Sequence, residues 1–171
     1  MPFKRKALRT KKINNYQEAR MGSADFLLKQ TGFRELTPAD CDALGAVCAE
    51  ESFSTGSLIF PEEGQCDKMY IIKSGSVKIT KKTKETENTI AVINPGEFFG
   101  EMALLDGLPR SATAKAASDS VVLTITRENY QALRLKAPHT ALKIIDILIK
   151  VLSNRLRQAN KNLEVISFWI E

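Results

Sequence analysis

The stretch "GEFFGEMALLDGLPRSATAKA", residues 96–116, decides how the rest of the chain is read. Pro95-Gly96 turns the backbone, and Gly100 allows an unusual φ and a close backbone approach. Glu101-Met102-Ala103-Leu104-Leu105 has the composition of a single helical turn. A turn that opens beside Gly100 points unpaired N–H groups outward with the positive end of its dipole, which seats a phosphate oxygen. Arg110 is a permanent cation whose fork matches a phosphate, and Ser111 adds a hydroxyl donor. Glu101 repels an anion but accepts a hydrogen bond from a hydroxyl. The stretch thus describes a site with an anion at one end and a hydroxyl at the other, and a ribose phosphate carries both. The competing account is an internal Glu101–Arg110 ion pair closing an exposed loop. Exposure is required there, because a buried pair without further partners is costly.

On both sides of this stretch the pattern is that of short strands. "GSLIF", "KMYIIKSGSVKIT", "TIAVINPGEFFG" and "SATAKAASDSVVLTI" are β-branched or alternating, and Gly56, Gly64, Gly75, Gly96, Gly100 and Gly107 punctuate them at strand-sized intervals. This predicts a compact antiparallel sandwich or barrel over 54–126, with residues 80–89 as an exposed hairpin tip. Residues 23–53 read as short helices. Thr37-Pro38 places a cap before a first-turn proline, and Leu36, Cys41, Leu44 and Val47 recur at helical spacing. After Arg127 the helical period returns. One helix covers "RENYQALRLK", Ala137-Pro138 interrupts, and a long helix runs from about Thr140 toward the end. The fold class is therefore α+β: an antiparallel, jelly-roll-like β-roll with short N-terminal helices and, over 127–171, C-terminal helices of which the last is long.

These residues resemble the cyclic nucleotide-binding domain family, found in bacterial catabolite activators and in the regulatory subunits of cyclic-AMP-dependent protein kinase. Its phosphate-binding cassette, here placed at 96–112, runs Phe-Gly-Glu, small and apolar residues, a short spacer, then Arg, Ser/Thr/Ala and Ala. The chain has Phe99-Gly100-Glu101-Met102-Ala103-Leu104-Leu105, a spacer Asp106–Pro109, and Arg110-Ser111-Ala112. The upstream Gly56, Gly64 and Gly75 fall at the family's roll turns, and the resemblance covers about residues 25–165. It implies that Glu101 holds a ribose 2′-hydroxyl. Arg110 pairs with the cyclic phosphate, aided by Ser111 and by backbone amides from Gly100 to Ala103. Ile79, Ile90 and Ile93 pack against base or ribose, or are plain core. The family reads the base from its last helix, where Arg155 or the Ala159-Asn160 pair is positioned to meet it; an arginine there can stack on a purine. Family frequency favours cyclic AMP over cyclic GMP as ligand. The family's activators continue into a helix-turn-helix and its kinases into a catalytic domain, so the expectation is a stand-alone sensor without such an output domain.

The chain has 171 residues, 43% apolar and 26% charged, enough for one domain with a packed core. Its net charge of +5 is concentrated in residues 1–20, which carry seven Lys or Arg residues against Glu18. Residues 1–22 read as a flexible basic arm, a solvated terminus or a patch for nucleic acid, anionic lipid or an acidic partner. Cys41, Cys48 and Cys66 show no metal spacing and His139 is the only histidine, so no metal and no resident cofactor are expected. The thiols fit a reducing, cytoplasmic setting. No apolar run is long enough for a signal peptide or a membrane span. One histidine leaves little acid–base machinery, so the chain is expected not to be an enzyme. The alternatives are a structural or interaction module of the same fold that has lost its ligand, and nucleic-acid binding through the arm. No aromatic-interleaved basic patch supports the second. Leu142, Ile145, Ile149, Leu152, Leu156, Ala159, Leu163, Ile166 and Ile170 follow a heptad spacing that predicts a homodimer through the last helix. A single helix packed on its own roll is the alternative. The downstream effector is not legible.

Overall fold

The computed structural model describes residues 22–65, 67–83 and 86–168, and of residues 103 and 162–168 the backbone only. The basic arm and Ile170 therefore lie outside the described residues, as do Cys66 and the side chains of Leu163 and Ile166. The chain begins with helix α1 over 22–28 and a 3-10 turn at Thr31–Phe33, followed by α2 (Pro38–Gly45). Thr37 caps α2 as its sequence requires: its hydroxyl accepts from Asp40 N, and the Asp40 carboxylate accepts from Thr37 N.

Eight strands follow: β1 (Ala49–Phe53), β2 (Leu58–Phe60), β3 (Lys68–Ser74), β4 (Val77–Lys82), β5 (Glu87–Ile93), β6 (Phe98–Phe99), β7 (Thr113–Ala116) and β8 (Ser120–Thr126). They form two antiparallel four-stranded sheets, ordered β1-β8-β3-β6 and β2-β7-β4-β5. The roll therefore begins at Ala49, not at residue 54 as the sequence pattern indicated. The segment "AEESF" has no apolar alternation. It is held as an edge strand by its backbone ladder to β8 and by Glu50–Lys73 and Glu51–Lys68 ion pairs of 2.7 Å.

Strand β3 explains how the layers stack. Successive side chains face opposite sides of a sheet. Tyr70 and Ile72 enter the space between the sheets, with Phe60, Val77, Ile93, Phe99, Ala114 and Val122. Met69 and Ile71 face the other way and pack with Leu123 and Ile125 of β8 against the helices. Both faces of β3 are covered, so its sequence reads as an unbroken apolar run. Gly75, in the turn after β3, has φ +80, and a Cβ there would collide with Asp119 O. Only glycine fits that hairpin.

Helix α3 (Glu101–Asp106) follows β6. Helix α4 (Arg127–Lys136) is capped by Thr126, and α5 (Pro138–Phe168) begins after a single intervening residue, Ala137. Thr140, Ala141, Ile144, Ile147 and Leu148 of α5 are buried. This is not the predicted heptad stripe. Of that stripe Ile145 packs half-buried on the core, while Leu142, Ile149 and Leu156 are exposed. The start of α5 is anchored by Asp40, which accepts from Thr140 Oγ1 at 2.7 Å and pairs with Lys143 Nζ at 2.6 Å. The Lys143 and Thr140 hydrogen bonds hold the Asp40 carboxyl well below the usual carboxylate range.

Candidate functional site

Strand β6 delivers the chain to Gly100, at φ +72, and α3 opens at the next residue. A Cβ at Gly100 would run into Arg110 Nη1, so the glycine is what lets the guanidinium reach the backbone here. Arg110 is 3% exposed. Its Nη1 donates to Gly100 O at 2.8 Å and its Nη2 to Lys68 O at 2.7 Å. The guanidinium carbon lies 3.9 Å from the centre of the Phe60 ring and 5.6 Å from that of Tyr70, while Tyr70 stacks on Phe99 at 4.9 Å. No carboxylate pairs with Arg110 among the described residues, and its Nε has no hydrogen-bond partner. A permanently charged group is thus held out of water on carbonyl dipoles and aromatic faces, with donor capacity left over. That arrangement is costly until an anion joins it.

Glu101 is 2% exposed, and it does not face Arg110. The loop-closing Glu101–Arg110 pair considered from the sequence does not form. Instead Glu101 Oε1 accepts from Arg155 Nη1 at 2.7 Å. Arg155 Nη2 donates to Phe98 O at 2.6 Å, and its guanidinium carbon stands 5.5 Å from the Phe98 ring centre. One side chain from the middle of α5 therefore grips both sides of Gly100. A carboxylate offers about four acceptor positions, so Glu101 can still accept from a hydroxyl while bonded to Arg155.

Between these groups lies a cavity of about 820 Å³, open to one side, whose lining is mostly apolar. Its size falls in the roughly 300–1,000 Å³ range of small-molecule sites. It brings together Phe99, Gly100, Glu101, Met102, Arg110, Ser111, Ala112, Ile79, Ile90, Ile93 and Arg155. Ala103 lies on α3 behind Met102, and its side chain is outside the description. The three isoleucines differ: Ile93 is buried core, Ile79 packs half-buried on that core, and Ile90 is 60% exposed at the rim. Ser111 is exposed, with its hydroxyl 3.9 Å from Met102 Sδ. At the α5 wall, Arg155 and Ala159 line the cavity. Asn160, the other residue placed there by sequence, is not among the lining residues.

Several lining residues escaped the sequence reading. Phe60 comes from β2 and, with Tyr70, makes the platform under Arg110; nothing in a lone aromatic marks that role. Leu152 and Leu156 were legible as a stripe but were assigned to a helix seam, and they also wall the cavity. Helical spacing identifies a face without saying what covers it.

Residues 50–136 match the cyclic nucleotide-binding domain family. The chain belongs to that family. It is 34% identical over 137 residues to the "Cyclic AMP receptor protein" of Thermus thermophilus, covering 80% of this chain and 62% of that protein. It is 30% identical over 146 residues to the "CRP-like cAMP-activated global transcriptional regulator" of Mycobacterium tuberculosis, covering 84% and 63%. The crystal structure of the Thermus thermophilus catabolite activator protein superposes with a TM-score of 0.69 at 35% identity, over 80% of this chain and 63% of that one. The chain thus spans a little over three fifths of the length of the curated relatives it matches. Among the described residues no helix is long and apolar enough to cross a membrane.

Proposed function

We propose that this chain is a receptor module for a cyclic nucleoside monophosphate, cyclic AMP in preference to cyclic GMP, and that it acts as a sensor, not an enzyme. The observation that carries the reading is Arg110: a buried guanidinium with no carboxylate partner among the described residues, lining an apolar cavity that a buried carboxylate also lines. The cyclic phosphate supplies the missing anion, accepting from Arg110, from Ser111 Oγ and from first-turn amides of α3. The ribose 2′-hydroxyl donates to Glu101. Base and sugar fill the space among Ile79, Ile90, Leu152 and Leu156. The preference for cyclic AMP leans on the two relatives named for it.

The output is a shift of α5. Arg155 ties the middle of that helix to both Glu101 and Phe98 O, so a ligand hydroxyl on Glu101 shares its carboxylate with this tie and bears directly on the position of α5. The ligand biases α5 only by its differential affinity for the two arrangements. The exposed stripe Leu142, Ile149 and Leu156 is the surface through which α5 pairs with a second copy. Calorimetric titration of the full chain with cyclic AMP and cyclic GMP tests the reading. Tighter binding of cyclic AMP is the expected result, and absence of heat with either nucleotide overturns it.

A further inference from the structure

We propose that Lys81 is a second cation of the phosphate subsite, with its charge metered by Glu62. This rests on the cyclic nucleotide reading above and adds to it a residue outside the cassette. Strand β4 loses its regular register to β5 between Ile79 and Thr80. Thr80 is buried, and Lys81 reaches the end of the cassette. Its ammonium donates to Ser111 O at 2.8 Å and pairs with Glu62 Oε1 at 2.7 Å. Ser111 follows Arg110 and lines the cavity, so a cation is fixed on the backbone of the residue whose hydroxyl meets the phosphate. An ammonium has three N–H donors, and two are used here. Neither bond uses the third; Lys81 stands outside the cavity's own lining, one residue contact from it through Ser111, so its flexible stem must turn the ammonium toward a phosphate oxygen.

The two partners of this pair differ in freedom. Glu62 sits in the β2–β3 turn, which is stitched to the cassette. Glu62 N donates to Thr113 Oγ1 at 2.9 Å, Glu63 N to Arg110 O at 2.9 Å, and Arg110 N to Gly64 O at 3.1 Å. Lys81 hangs on a flexible four-carbon stem with its side chain 49% exposed. The hydrogen bond from Lys81 also keeps the Glu62 carboxyl below its ordinary range, so Glu62 is ionised at neutral pH. An anion arriving beside Ser111 therefore meets a cation on a flexible stem that is already paired with a carboxylate. Removing the carboxylate leaves the full positive charge to the ligand.

The two substitutions are expected to act in opposite directions. In calorimetric titration with cyclic AMP, Lys81→Met weakens binding about two- to fivefold, the scale of an exposed charge contact. Lys81→Arg restores it. Glu62→Gln tightens binding, and has no such effect when Lys81 is already Met. The Lys81→Met affinity also falls less between about 0.1 and 1 M salt, where the screening length shrinks from about 10 to 3 Å. A purely structural tie would make Glu62→Gln and Lys81→Met weaken binding alike, and that result overturns the proposal. Wild-type affinity in Lys81→Met also overturns it. Loss of all nucleotide binding by the unaltered chain is a different result, and strikes the receptor reading instead.

Discussion

Arg110→Met separates a ligand-binding arginine from a structural one, because only the structural role predicts a large loss of stability in the free protein. In the free protein the substitution removes donors to Gly100 O and Lys68 O. Losing a charged donor at each of these part-buried carbonyls costs up to about 1–3 kcal/mol apiece. Against that, methionine relieves a buried charge without an ion-pair partner, a penalty of several kcal/mol. The contact with Phe60 had already recovered about 0.5–2 kcal/mol of this penalty. An unbranched apolar side chain on the Phe60 and Tyr70 faces also packs well. The terms nearly cancel, and free-protein stability stays within about 2 kcal/mol of wild type, or roughly 8 °C in Tm for a chain of this size.

Ligand affinity has no such offset. Loss of charge-assisted bonds to a phosphate costs about 2–3 kcal/mol, a weakening of roughly 30- to 160-fold. At a cyclic AMP concentration about 100 times the wild-type Kd, the wild type gains about 2.7 kcal/mol and the variant only about 0.3–0.9 kcal/mol. Thermal unfolding with and without nucleotide, together with titration calorimetry, reads both quantities. Wild-type affinity in Arg110→Met refutes the cassette assignment. A free protein that loses more than about 4 kcal/mol refutes the claim that the guanidinium is an uncompensated charge.

Gly100→Ala is expected to cost more than its single methyl suggests. It forces a side chain to φ +72 and into Arg110 Nη1, so affinity should fall at least tenfold by calorimetry even where the fold survives. Asp40 contributes to acid sensitivity. Its folded-state pKa is depressed by Lys143 and Thr140, so the stability it provides is full above the unfolded value of about 3.9 and is lost as pH falls below it. Thermal melts from about pH 6 to 3 should fall less steeply in Asp40→Asn than in wild type; parallel slopes would remove Asp40 from the account. Ile149→Glu combined with Leu156→Glu places charge on the exposed α5 stripe and should convert a dimer to monomers in sedimentation. A wild type that sediments as a monomer ends the pairing proposal.

The roll was legible because its signals are local. Alternating strands, turn glycines and the Thr37-Pro38 cap are decided by neighbours in sequence, and most strands lie where the pattern put them. Strand β1 was not legible. Its polar "AEESF" becomes a strand only because β8 offers an edge and Lys68 and Lys73 supply the opposite charges. The same division runs through the site. Gly100, Glu101 and Arg110 were found from chemistry and spacing within one short stretch. Their partners were not, because each comes from a distant element: Lys68 O from β3, Phe60 from β2, Arg155 from α5. Sequence placed Glu101 and Arg110 near one another and left open a pair between them. The fold instead gives the carboxylate a cation from α5 and leaves the cassette cation without a carboxylate.

That division bears on how the site and the last helix communicate. Leu152, Arg155 and Leu156 lie within two turns of α5 and line the cavity, while Leu156 also belongs to the exposed stripe that continues from Leu142 and Ile149. Nearer its start, α5 is fixed by Lys143 on Asp40 and by Lys150 on Glu35, neither of which touches the cavity. The cavity therefore meets α5 only beyond Lys150, at a part that Arg155 ties to the roll. The mechanical expectation is a helix pinned at its N-terminal half and adjustable past Lys150, with Leu156 serving both pocket and stripe. Under the proposed pairing of two copies through that stripe, pairing and nucleotide binding are not independent. A residue shared by two binding surfaces couples them, and by linkage the factor by which nucleotide changes the pairing constant equals the factor by which pairing changes nucleotide affinity.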